Sequence, residues 1–208
     1  MAKRSKSSER WLKEHQSDAY VKRARKEGFR SRAAFKLSEL DEAERLIRPG
    51  MVIIDLGAAP GGWSQYASKV LKGKGLIIAC DILPMEAVTG VTFLQGDFRE
   101  PAPLAELKAV LGDRPVDLVM SDMAPNMSGI DAVDHPRQMD LAELALEFAC
   151  QHLKPGGVFL SKLFQGAGFD DYLRLVRKGF SKVSMKKPPA SRSRSAEMYL
   201  LATGRRIL

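Results

Sequence analysis

The residues best suited to chemistry form the segment Gly57-Ala58-Ala59-Pro60-Gly61-Gly62, which follows Asp55-Leu56. An apolar run over 51–54 precedes it and predicts a buried strand, and residues 64–71 after it predict a helix. A strand that ends in a glycine-rich turn and opens a helix is a typical cradle for a nucleotide-like cofactor, since glycines let the backbone approach a ligand. The alternative is a tight connection that binds nothing, although four glycine or proline residues in six positions are costly for a connection alone.

The spacing of these glycines favours S-adenosylmethionine over NAD or ATP. Three residues separate Gly57 from Gly61, so the G-x-G-x-x-G fingerprint of dinucleotide sites is missing. The G-x-x-x-x-G-K-[ST] phosphate loop is also missing from the sequence. The methionine part of S-adenosylmethionine carries an ammonium and a sulfonium but no phosphate, which suits a turn that is preceded by an acidic residue, Asp55.

Acidic residues end two further predicted strands, and ligands of parallel sheets bind at the carboxyl ends of strands. Asp81 lies 24 residues beyond Gly57, a spacing suited to a carboxylate that accepts hydrogen bonds from both ribose hydroxyls of the cofactor. Asp97 follows the next strand and is predicted to face the exocyclic amine of adenine. The alternative for each is an ordinary aspartate in the turn after a strand.

The next two predicted strands end in residues that indicate which chemical group accepts the methyl group. Ser121-Asp122-Met123-Ala124-Pro125-Asn126 offers no aromatic side chain on which a flipped base would stack, which favours a hydroxyl acceptor. Lys162 lies near the end of the following apolar strand, where an unpaired lysine is rare. We expect Lys162 close to Asp122, which ends the adjacent strand. Burial and nearby positive charge would lower the pKa of Lys162 toward the range in which the amine can accept a proton. The alternative is a surface lysine that extends to solvent.

Strand and helix patterns alternate after residue 50, which predicts an α/β fold of the Rossmann-like methyltransferase type, with a seven-stranded, mostly parallel sheet and helices on both faces. We predict a basic N-terminal extension over 1–30, partly disordered, and a single domain over 31–208. The predicted strands are Val52–Leu56, Leu76–Asp81, Val91–Gln95, Val116–Ser121, Gly157–Leu163, Phe180–Lys186 and Glu197–Ala202. The predicted helices are 9–27, a helix capped by Ser31 that reaches about Ala43, Trp63–Leu71, Pro103–Leu111, Arg137–Leu153 and Phe169–Lys178.

Charge is distributed unevenly along the 208 residues, whose net charge is +8. Residues 1–40 carry a net +7 and residues 174–208 a net +9, whereas residues 41–173 carry −8. Two basic ends favour a polyanionic partner such as nucleic acid, although a charge of this size also serves solubility. No apolar run reaches membrane-spanning length, so we expect a cytoplasmic protein with no membrane partner.

Cysteine and histidine give no sign of a disulfide or a metal site. Cys80 and Cys150 lie 70 residues apart in apolar surroundings, which is typical of reduced cysteines in a core. The three histidines show no ligand spacing, so we predict that the chain binds no metal.

Five segments together resemble the FtsJ/RrmJ family, the RlmE-type ribosomal RNA methyltransferases that modify a uridine ribose 2′-OH. The resemblance extends from about Arg10 to Gly204. The segments are Gly-Phe-Arg-Ser-Arg-Ala-Ala-Phe-Lys-Leu (28–37), Asp-Leu-Gly-Ala-Ala-Pro-Gly-Gly-Trp-Ser-Gln (55–65), Ser-Asp-Met-Ala-Pro-Asn-Met-Ser-Gly (121–129), Lys-Leu-Phe-Gln-Gly (162–166) and Ser-Arg-Ser-Ala-Glu-Met-Tyr (193–199).

The resemblance implies a catalytic tetrad and a set of cofactor contacts. The tetrad falls on Lys36, Asp122, Lys162 and Glu197, with Lys162 as the proton acceptor. An ordinary surface ion pair is the alternative for Glu197. Contacts to S-adenosylmethionine, whose product is S-adenosylhomocysteine, carry over to Gly61, Trp63, Asp81, Asp97 and Asp122. The loop pattern adds Asp55, Gly57 and Gly62.

The implied substrate is 23S-type ribosomal RNA, within the large subunit or its late precursor, and the implied role is to support late large-subunit assembly. We expect a monomer. The alternatives are a 2′-O-methyltransferase acting on transfer RNA or capped messenger RNA, a non-catalytic RNA-binding assembly factor, and an NAD-dependent oxidoreductase. The residues predicted to contact RNA are Arg30, Arg32, Lys186, Lys187, Arg192 and Arg194.

Overall fold

The computed structural model describes residues 18–126, 128–192 and 195–207. Helices and strands alternate along most of this part of the chain. The helices are α1 (Ala19–Lys26), α2 (Ala33–Glu44), α3 (Gly62–Leu71), α4 (Pro101–Leu111), α5 (Asp131–His152) and α6 (Phe169–Gly179). The strands are β1 (Val52–Leu56), β2 (Leu76–Asp81), β3 (Thr92–Gln95), β4 (Val116–Ser121), β5 (Leu153–Phe164), β6 (Phe180–Lys186) and β7 (Glu197–Arg205).

The seven strands form one sheet in the order β3-β2-β1-β4-β5-β7-β6. Neighbouring strands from β3 to β5 are parallel, and β7 is antiparallel to both β5 and β6. The chain order reverses between β1 and β4, so the loops after these strands diverge and leave a crevice at the carboxyl edge. The prediction of a seven-stranded, mostly parallel sheet in a Rossmann-like fold is confirmed.

Alternate residues of the central strands pack on opposite faces of the sheet. In β1, Ile53 lies in the cluster that contains residues of α2 and α3, and Ile54 lies in the cluster that contains residues of α4, α5 and α6. All five residues of β1 are buried, as expected for a strand covered on both sides. Helices on both faces are therefore confirmed.

Four strands, Val52–Leu56, Leu76–Asp81, Val116–Ser121 and Phe180–Lys186, have the predicted bounds. The other three strands and the predicted helices begin or end at different residues in the structure. Arg32 rather than Ser31 is the N-cap of α2, and it makes no side-chain capping hydrogen bond. The helix predicted from Arg137 begins at Asp131 and includes Pro136. The strand predicted from Gly157 begins at Leu153, where a register shift against β4 accommodates the glycines.

Residues 18–30 pack against the rest of the chain, and residues 1–17 lie outside the described part. Ala24 of α1 is buried with Phe35 and Ala190, and Phe29 packs against them. The proposed boundary between an extension over 1–30 and a domain over 31–208 stays a prediction. The structure describes only residues 18 onward of the helix predicted over 9–27, where α1 spans Ala19–Lys26.

Both cysteines are free thiols, and burial raises the pKa of Cys80 to about 12. Cys80 lies in the core, whereas Cys150 is half-buried against it. Within the described ranges, no cluster of three metal-binding side chains is present. No helix in those ranges is long and apolar enough to cross a membrane.

Candidate active site at the carboxyl edge of the sheet

Atoms of other segments of the chain lie very close to the glycine-rich loop. Gly57 has φ 74°, and a Cβ atom there would lie 2.5 Å from Cγ of Met123. Gly61 has φ 104° and is the N-cap of α3 without a side-chain cap. A Cβ atom on Gly62 would lie 2.3 Å from Oγ of Ser31. Packing and the positive φ values thus favour glycine at these positions. As in any helix, the first amides of α3 have no intrahelical partners.

Asp55 is fully buried at the end of β1. Its Oδ2 accepts a hydrogen bond of 2.6 Å from Oγ of Ser64, in the first turn of α3. Its Oδ1 is buried and has no partner among the described residues. Burial raises the pKa of Asp55 to about 7, and the negative charges of Asp122 and Asp81 add to this shift. A water molecule or a ligand would supply the donor that this buried oxygen lacks.

A cavity of about 410 Å³ opens beside the loop. Its volume lies in the usual range for small-molecule sites. It is lined by residues from the ends of β1 to β4 and from α5, namely Gly57, Ala59, Cys80, Asp81, Ile82, Leu83, Gly96, Asp97, Phe98, Arg99, Asp122, Met123, Ala124, Pro125, Asn126, Leu141 and Leu144. Three of the predicted cofactor-binding acids, Asp81, Asp97 and Asp122, therefore share one cavity.

The carboxylates of Asp81 and Asp97 already accept hydrogen bonds from other residues of the protein. The Asp81 carboxylate accepts hydrogen bonds of 2.8 Å from the amides of Ala59 and Leu83. These bonds join the glycine-rich loop to the loop after β2. Asp97 pairs with Arg99, whose Nε lies 2.8 Å from Oδ2. Hydrogen bonds from Arg99 lower the pKa of Asp97, so this carboxylate is ionised at neutral pH.

Apolar side chains at the cavity were missed by the sequence analysis. Ile82 and Leu83 directly follow Asp81 and are 66% and 58% exposed. They line the cavity together with Phe98. Large apolar residues placed singly on a surface need no explanation, but an adjacent pair at the mouth of a cavity suits the face of an aromatic ring such as adenine. The signal in the sequence was two aliphatic residues after a strand-ending aspartate.

Lys162 and Asp122 meet across the neighbouring strands β5 and β4. Nζ of Lys162 donates to the backbone oxygen of Asp122 at 2.6 Å and lies 3.1 Å from its Oδ1. Lys162 is 8% exposed. The expected proximity is confirmed, and the alternative of a surface lysine is wrong for this arrangement.

Lys36 and Glu197 form a second ion pair, with Nζ to Oε1 at 2.6 Å. Glu197 is buried and also accepts a hydrogen bond of 3.0 Å from Oγ of Ser191. Burial raises the pKa of Glu197, but the charge and hydrogen bond of Lys36 and the charge of Lys162 outweigh it, so the net pKa is lowered. The pair is thus not a loose surface contact.

Tyr199 lies between these two ion pairs, a position that sequence reasoning did not single out. Its ring is fully buried, and its hydroxyl lies 3.5 Å from Oδ1 of Asp122. Nζ of Lys36 lies 5.7 Å from the centre of the ring. Burial and the charges of Asp122 and Glu197 raise the pKa of Tyr199 well above its ordinary value, so the hydroxyl stays protonated as a donor. The tetrad predicted from the resemblance is therefore one contiguous cluster, with Tyr199 at its centre.

Trp63 is also brought to this cluster. Its indole is buried, donates from Nε1 to the backbone oxygen of Ala33 at 3.0 Å and packs against Tyr199 at 5.8 Å between ring centres. The side chain therefore joins α3 to α2, and its indole N–H is already engaged within the protein.

The predicted RNA-contacting residues differ in the hydrogen bonds and ion pairs that they form within the protein. Arg30 donates to the backbone oxygens of Glu86 and Ala87 at 2.6 Å, beside the glycine-rich loop. Arg32 is largely buried and pairs with Asp18 and with the backbone oxygen of Ala190.

The remaining residues of this set lie at the end of β6 or after it. Arg192 reaches Asp18 at 3.4 Å, Lys187 donates to Ser195, and Lys186 pairs with Glu44. Arg194 lies outside the described residues. An RNA contact for each of them stays a prediction.

Comparison with known proteins agrees with the site. The model of the FtsJ-like methyltransferase family matches residues 29–205. A ribosomal RNA large subunit methyltransferase E of Xanthomonas oryzae pv. oryzae is 63% identical over 207 residues, covering 100% of this chain and 99% of the relative. The protein of the same name from Xanthomonas campestris pv. campestris is 62% identical, covering 99% and 98%.

Solved structures show the same fold. A chain described as a ribosomal RNA methyltransferase from Plasmodium falciparum superposes with a TM-score of 0.75 at 28% identity, covering 85% of this chain and 98% of that chain. Human methyltransferase-like protein 13, solved in complex with SAH, gives a TM-score of 0.57 at 18% identity, covering 80% and 77%. The second likeness concerns the fold alone.

The family match covers the glycine-rich loop, the cavity and the four polar residues around Tyr199. S-adenosylmethionine as methyl donor and RNA as the class of substrate, both predicted from the sequence, agree with this match. The chain belongs to the FtsJ-like methyltransferase family.

Proposed function

We propose that this protein transfers a methyl group from S-adenosylmethionine to the ribose 2′-OH of a uridine in large-subunit ribosomal RNA. The observation that carries the proposal is the buried contact between Lys162 and Asp122 beside the cofactor cavity, with Nζ 2.6 Å from the backbone oxygen of Asp122. The name of the 63% identical relative, ribosomal RNA large subunit methyltransferase E, supports this choice of substrate.

The residues of the cavity fit the methyl donor. Gly57, Gly61 and Gly62 leave room for close approach, and the unpartnered Oδ1 of Asp55 needs a donor. Asp81 and Asp97 would accept hydrogen bonds from the ribose hydroxyls and the adenine amine, and Ile82 and Leu83 would cover the adenine ring. When bound, the donor supplies an electrophilic methyl group on a sulfonium.

The chain's contribution to the reaction is alignment and the handling of one proton. A ribose 2′-OH is a weak nucleophile, so the acceptor oxygen must be held in line with the methyl carbon. Lys162 with a neutral amine accepts the hydroxyl proton, and Lys162 with a charged amine stabilises the developing alkoxide. Asp122 fixes Nζ through two contacts, and Lys36, held by Glu197, adds positive potential and orients the hydroxyl.

RNA specificity follows from the acceptor, because DNA has no 2′-OH. The two basic ends of the chain, with net charges of +7 and +9, would bind phosphates on either side of the target. We propose that the protein acts as a monomer on the large subunit or its late precursor, and that the modification supports late assembly.

The test is methyl transfer from labelled S-adenosylmethionine to large subunits that lack the modification, with the product mapped by nuclease digestion and mass spectrometry. Lys162→Met is compared with Lys154→Met, which removes a 43% exposed lysine of the same strand, β5, that pairs with Asp117 of β4. We expect one 2′-O-methyluridine with the wild type and with Lys154→Met, and none with Lys162→Met.

Two results would refute the proposal. Tight binding of S-adenosylhomocysteine without transfer to subunits, ribosomal RNA or transfer RNA would favour a non-catalytic assembly factor. Transfer to transfer RNA alone would keep the chemistry but replace the substrate.

A further inference from the structure

The Glu197 carboxylate is held in one orientation by two different side chains. Nζ of Lys36 lies 2.6 Å from Oε1 and 2.7 Å from Oε2, so both oxygens face the same ammonium. Oγ of Ser191 lies 3.0 Å from Oε1. The last torsion of a glutamate side chain has broad energy minima, and an ammonium is a compact point charge that restrains the plane of a carboxylate only weakly. The Ser191 hydroxyl therefore supplies the contact that fixes this plane.

The Ser191 hydroxyl is the donor in this contact. Burial raises the pKa of Glu197, but the charge and hydrogen bond of Lys36, the charge of Lys162 and the hydrogen bond of Ser191 lower it overall. The carboxylate is therefore ionised at neutral pH and only accepts hydrogen bonds. Hydrogen bonds to an ionised group are stronger than those between neutral groups. Ser191 and Glu197 are both buried, so the hydroxyl is not simply exchanged for bulk water.

Helix α2 holds the backbone next to Ser191 in place. The preceding residue, Ala190, is fully buried, and its amide donates to Oε2 of Glu39 at 2.7 Å. Its backbone oxygen accepts a hydrogen bond from Arg32, just before α2. Because Glu39 belongs to the same helix as Lys36, one helix positions both the lysine and the loop that reaches the carboxylate.

Ser195, in the same loop between β6 and β7, contacts Glu197 in a different way. Oγ of Ser195 accepts a hydrogen bond of 3.2 Å from the backbone amide of Glu197, two residues further along the chain. Such a contact is a local one between a side chain and the nearby backbone, and it does not involve the carboxylate. The two serines therefore separate support of the loop from orientation of the Glu197 side chain.

We propose that Ser191 is a positioning residue for methyl transfer, which orients the Glu197 carboxylate and, through it, Nζ of Lys36. The next residue, Arg192, has 31% of its side chain exposed, so one loop carries a cation suited to phosphate and the hydroxyl that orients Glu197. A serine that only anchored the loop would affect stability and RNA binding, whereas a serine that orients Glu197 affects kcat. The inference rests on the proposed function, because it assigns Lys36 and Glu197 to that reaction.

The experiment measures kcat and the KM for unmodified large subunits, together with the Kd of S-adenosylhomocysteine. Ser191→Ala should lower kcat about fivefold and leave KM and Kd within about twofold of the wild type. Ser191→Thr retains the hydroxyl and should recover most of the loss. The matched control, Ser195→Ala, should keep kcat within about twofold of the wild type. In a Glu197→Ala background, adding Ser191→Ala should lower kcat no further, because the group through which Ser191 acts is already absent.

A second measurement needs no turnover. The carboxyl carbon of Glu197 is titrated by NMR in protein with labelled glutamate, and its signal is assigned by its absence in Glu197→Ala. The Ser191 hydrogen bond favours the ionised carboxylate, so its removal should raise the pKa of Glu197 and move the titration midpoint to higher pH. Ser195→Ala should leave the midpoint unchanged. If the extra methyl group of Ser191→Thr impairs folding, the kinetics and the titration of Ser191→Ala carry the test.

Four outcomes with an active wild type would overturn the inference. An unchanged kcat in Ser191→Ala would mean that the hydroxyl does not serve the reaction, and equal losses in Ser191→Ala and Ser195→Ala would mean support of the loop alone. A raised KM at unchanged kcat would mean an RNA contact. A further loss of kcat in the Glu197→Ala background would mean that Ser191 acts through another group. A wild type that transfers no methyl group would instead refute the proposed function, and this inference with it.

Discussion

Lys36 and Glu197 are 161 residues apart in the chain and form a buried ion pair of 2.6 Å. The pair joins α2 to the first residue of β7, and therefore fixes the antiparallel strand beside Lys162. Its carboxylate is ionised well into the acidic range, because the Lys36 and Lys162 ammoniums overcome the effect of burial on the pKa. A lowered pKa in the folded state means that the ionised pair stabilises the fold above the ordinary pKa of 4.5.

Glu197→Gln should destabilise the fold by about 1.5–3 kcal/mol at pH 7, since a hydrogen bond to a charged group is lost. The gap in Tm between wild type and variant should shrink as the pH falls below 4.5 through the lower folded pKa, where wild-type Glu197 becomes protonated too. Thermal unfolding between pH 3 and pH 7 measures this. A gap that is constant over this range would contradict the assigned ion pair.

Tyr199 should matter for the reaction rate more than for stability. Tyr199→Phe removes a hydroxyl between Asp122 and Glu197, which should lower kcat about tenfold, or 1.4 kcal/mol of transition-state stabilisation, with little change in the KM for RNA. The matched control is Tyr172→Phe, an equally buried tyrosine whose hydroxyl donates to the backbone oxygen of Ala142 at 3.0 Å. Both variants should lose about 1 kcal/mol of unfolding free energy. Equal kcat values for the two variants would show that the Tyr199 hydroxyl does not contribute to catalysis.

The sequence was sufficient for the parts of the fold that depend on local pattern. β1 and β4 are short apolar runs bounded by turn residues, so their limits follow from composition alone. The insertion of β7 between β5 and β6 is a long-range choice of partners, which one sequence does not encode locally. Ser31 illustrates the same limit, because its hydroxyl faces Gly62 of another helix instead of capping its own.

The sequence predicted several residues of the site but not which residues of the protein they contact. Strand-ending acids mark the carboxyl edge of any parallel sheet, which is why Asp55, Asp81 and Asp122 could be identified. That Arg32 would be buried against Asp18, or that Tyr199 would join two ion pairs, depends on helices packing across the sheet edge. Such contacts are set by tertiary structure and leave no periodic signal in the sequence.

Gly57→Ala should damage both stability and cofactor binding. Alanine at φ 74° costs about 1–2 kcal/mol, and its Cβ would lie 2.5 Å from Cγ of Met123, which adds a steric cost. Gly156→Ala is the matched control, because Gly156 has φ 78° and no described atom within 4 Å of the added Cβ. The difference between the two variants in denaturant unfolding isolates the crowding, and binding of S-adenosylhomocysteine should weaken only in Gly57→Ala. Adding Met123→Ala should recover part of the stability of Gly57→Ala, and additive losses would show that the two residues do not clash.

Arg32 and Arg192 share Asp18 as a partner but should differ in their response to RNA. Arg32 has 14% of its side chain exposed, so Arg32→Ala should chiefly lower Tm, by removing support for the backbone of Ala190. The Arg192 side chain is 31% exposed and lies 3.4 Å from Asp18, so its guanidinium can turn to a phosphate.

Arg192→Ala should therefore weaken binding to a large-subunit ribosomal RNA fragment and reduce the slope of log Kd against log salt concentration by about 0.7–0.9, the value for one phosphate contact. Lys178→Ala serves as control, because Lys178 is an exposed cation at the end of α6 that contributes the same net charge. Titrations at several salt concentrations separate the cases. Equal slopes for Arg192→Ala and Lys178→Ala would mean that RNA senses only net charge, and an unchanged Tm in Arg32→Ala would mean that its ion pair with Asp18 does not stabilise the fold.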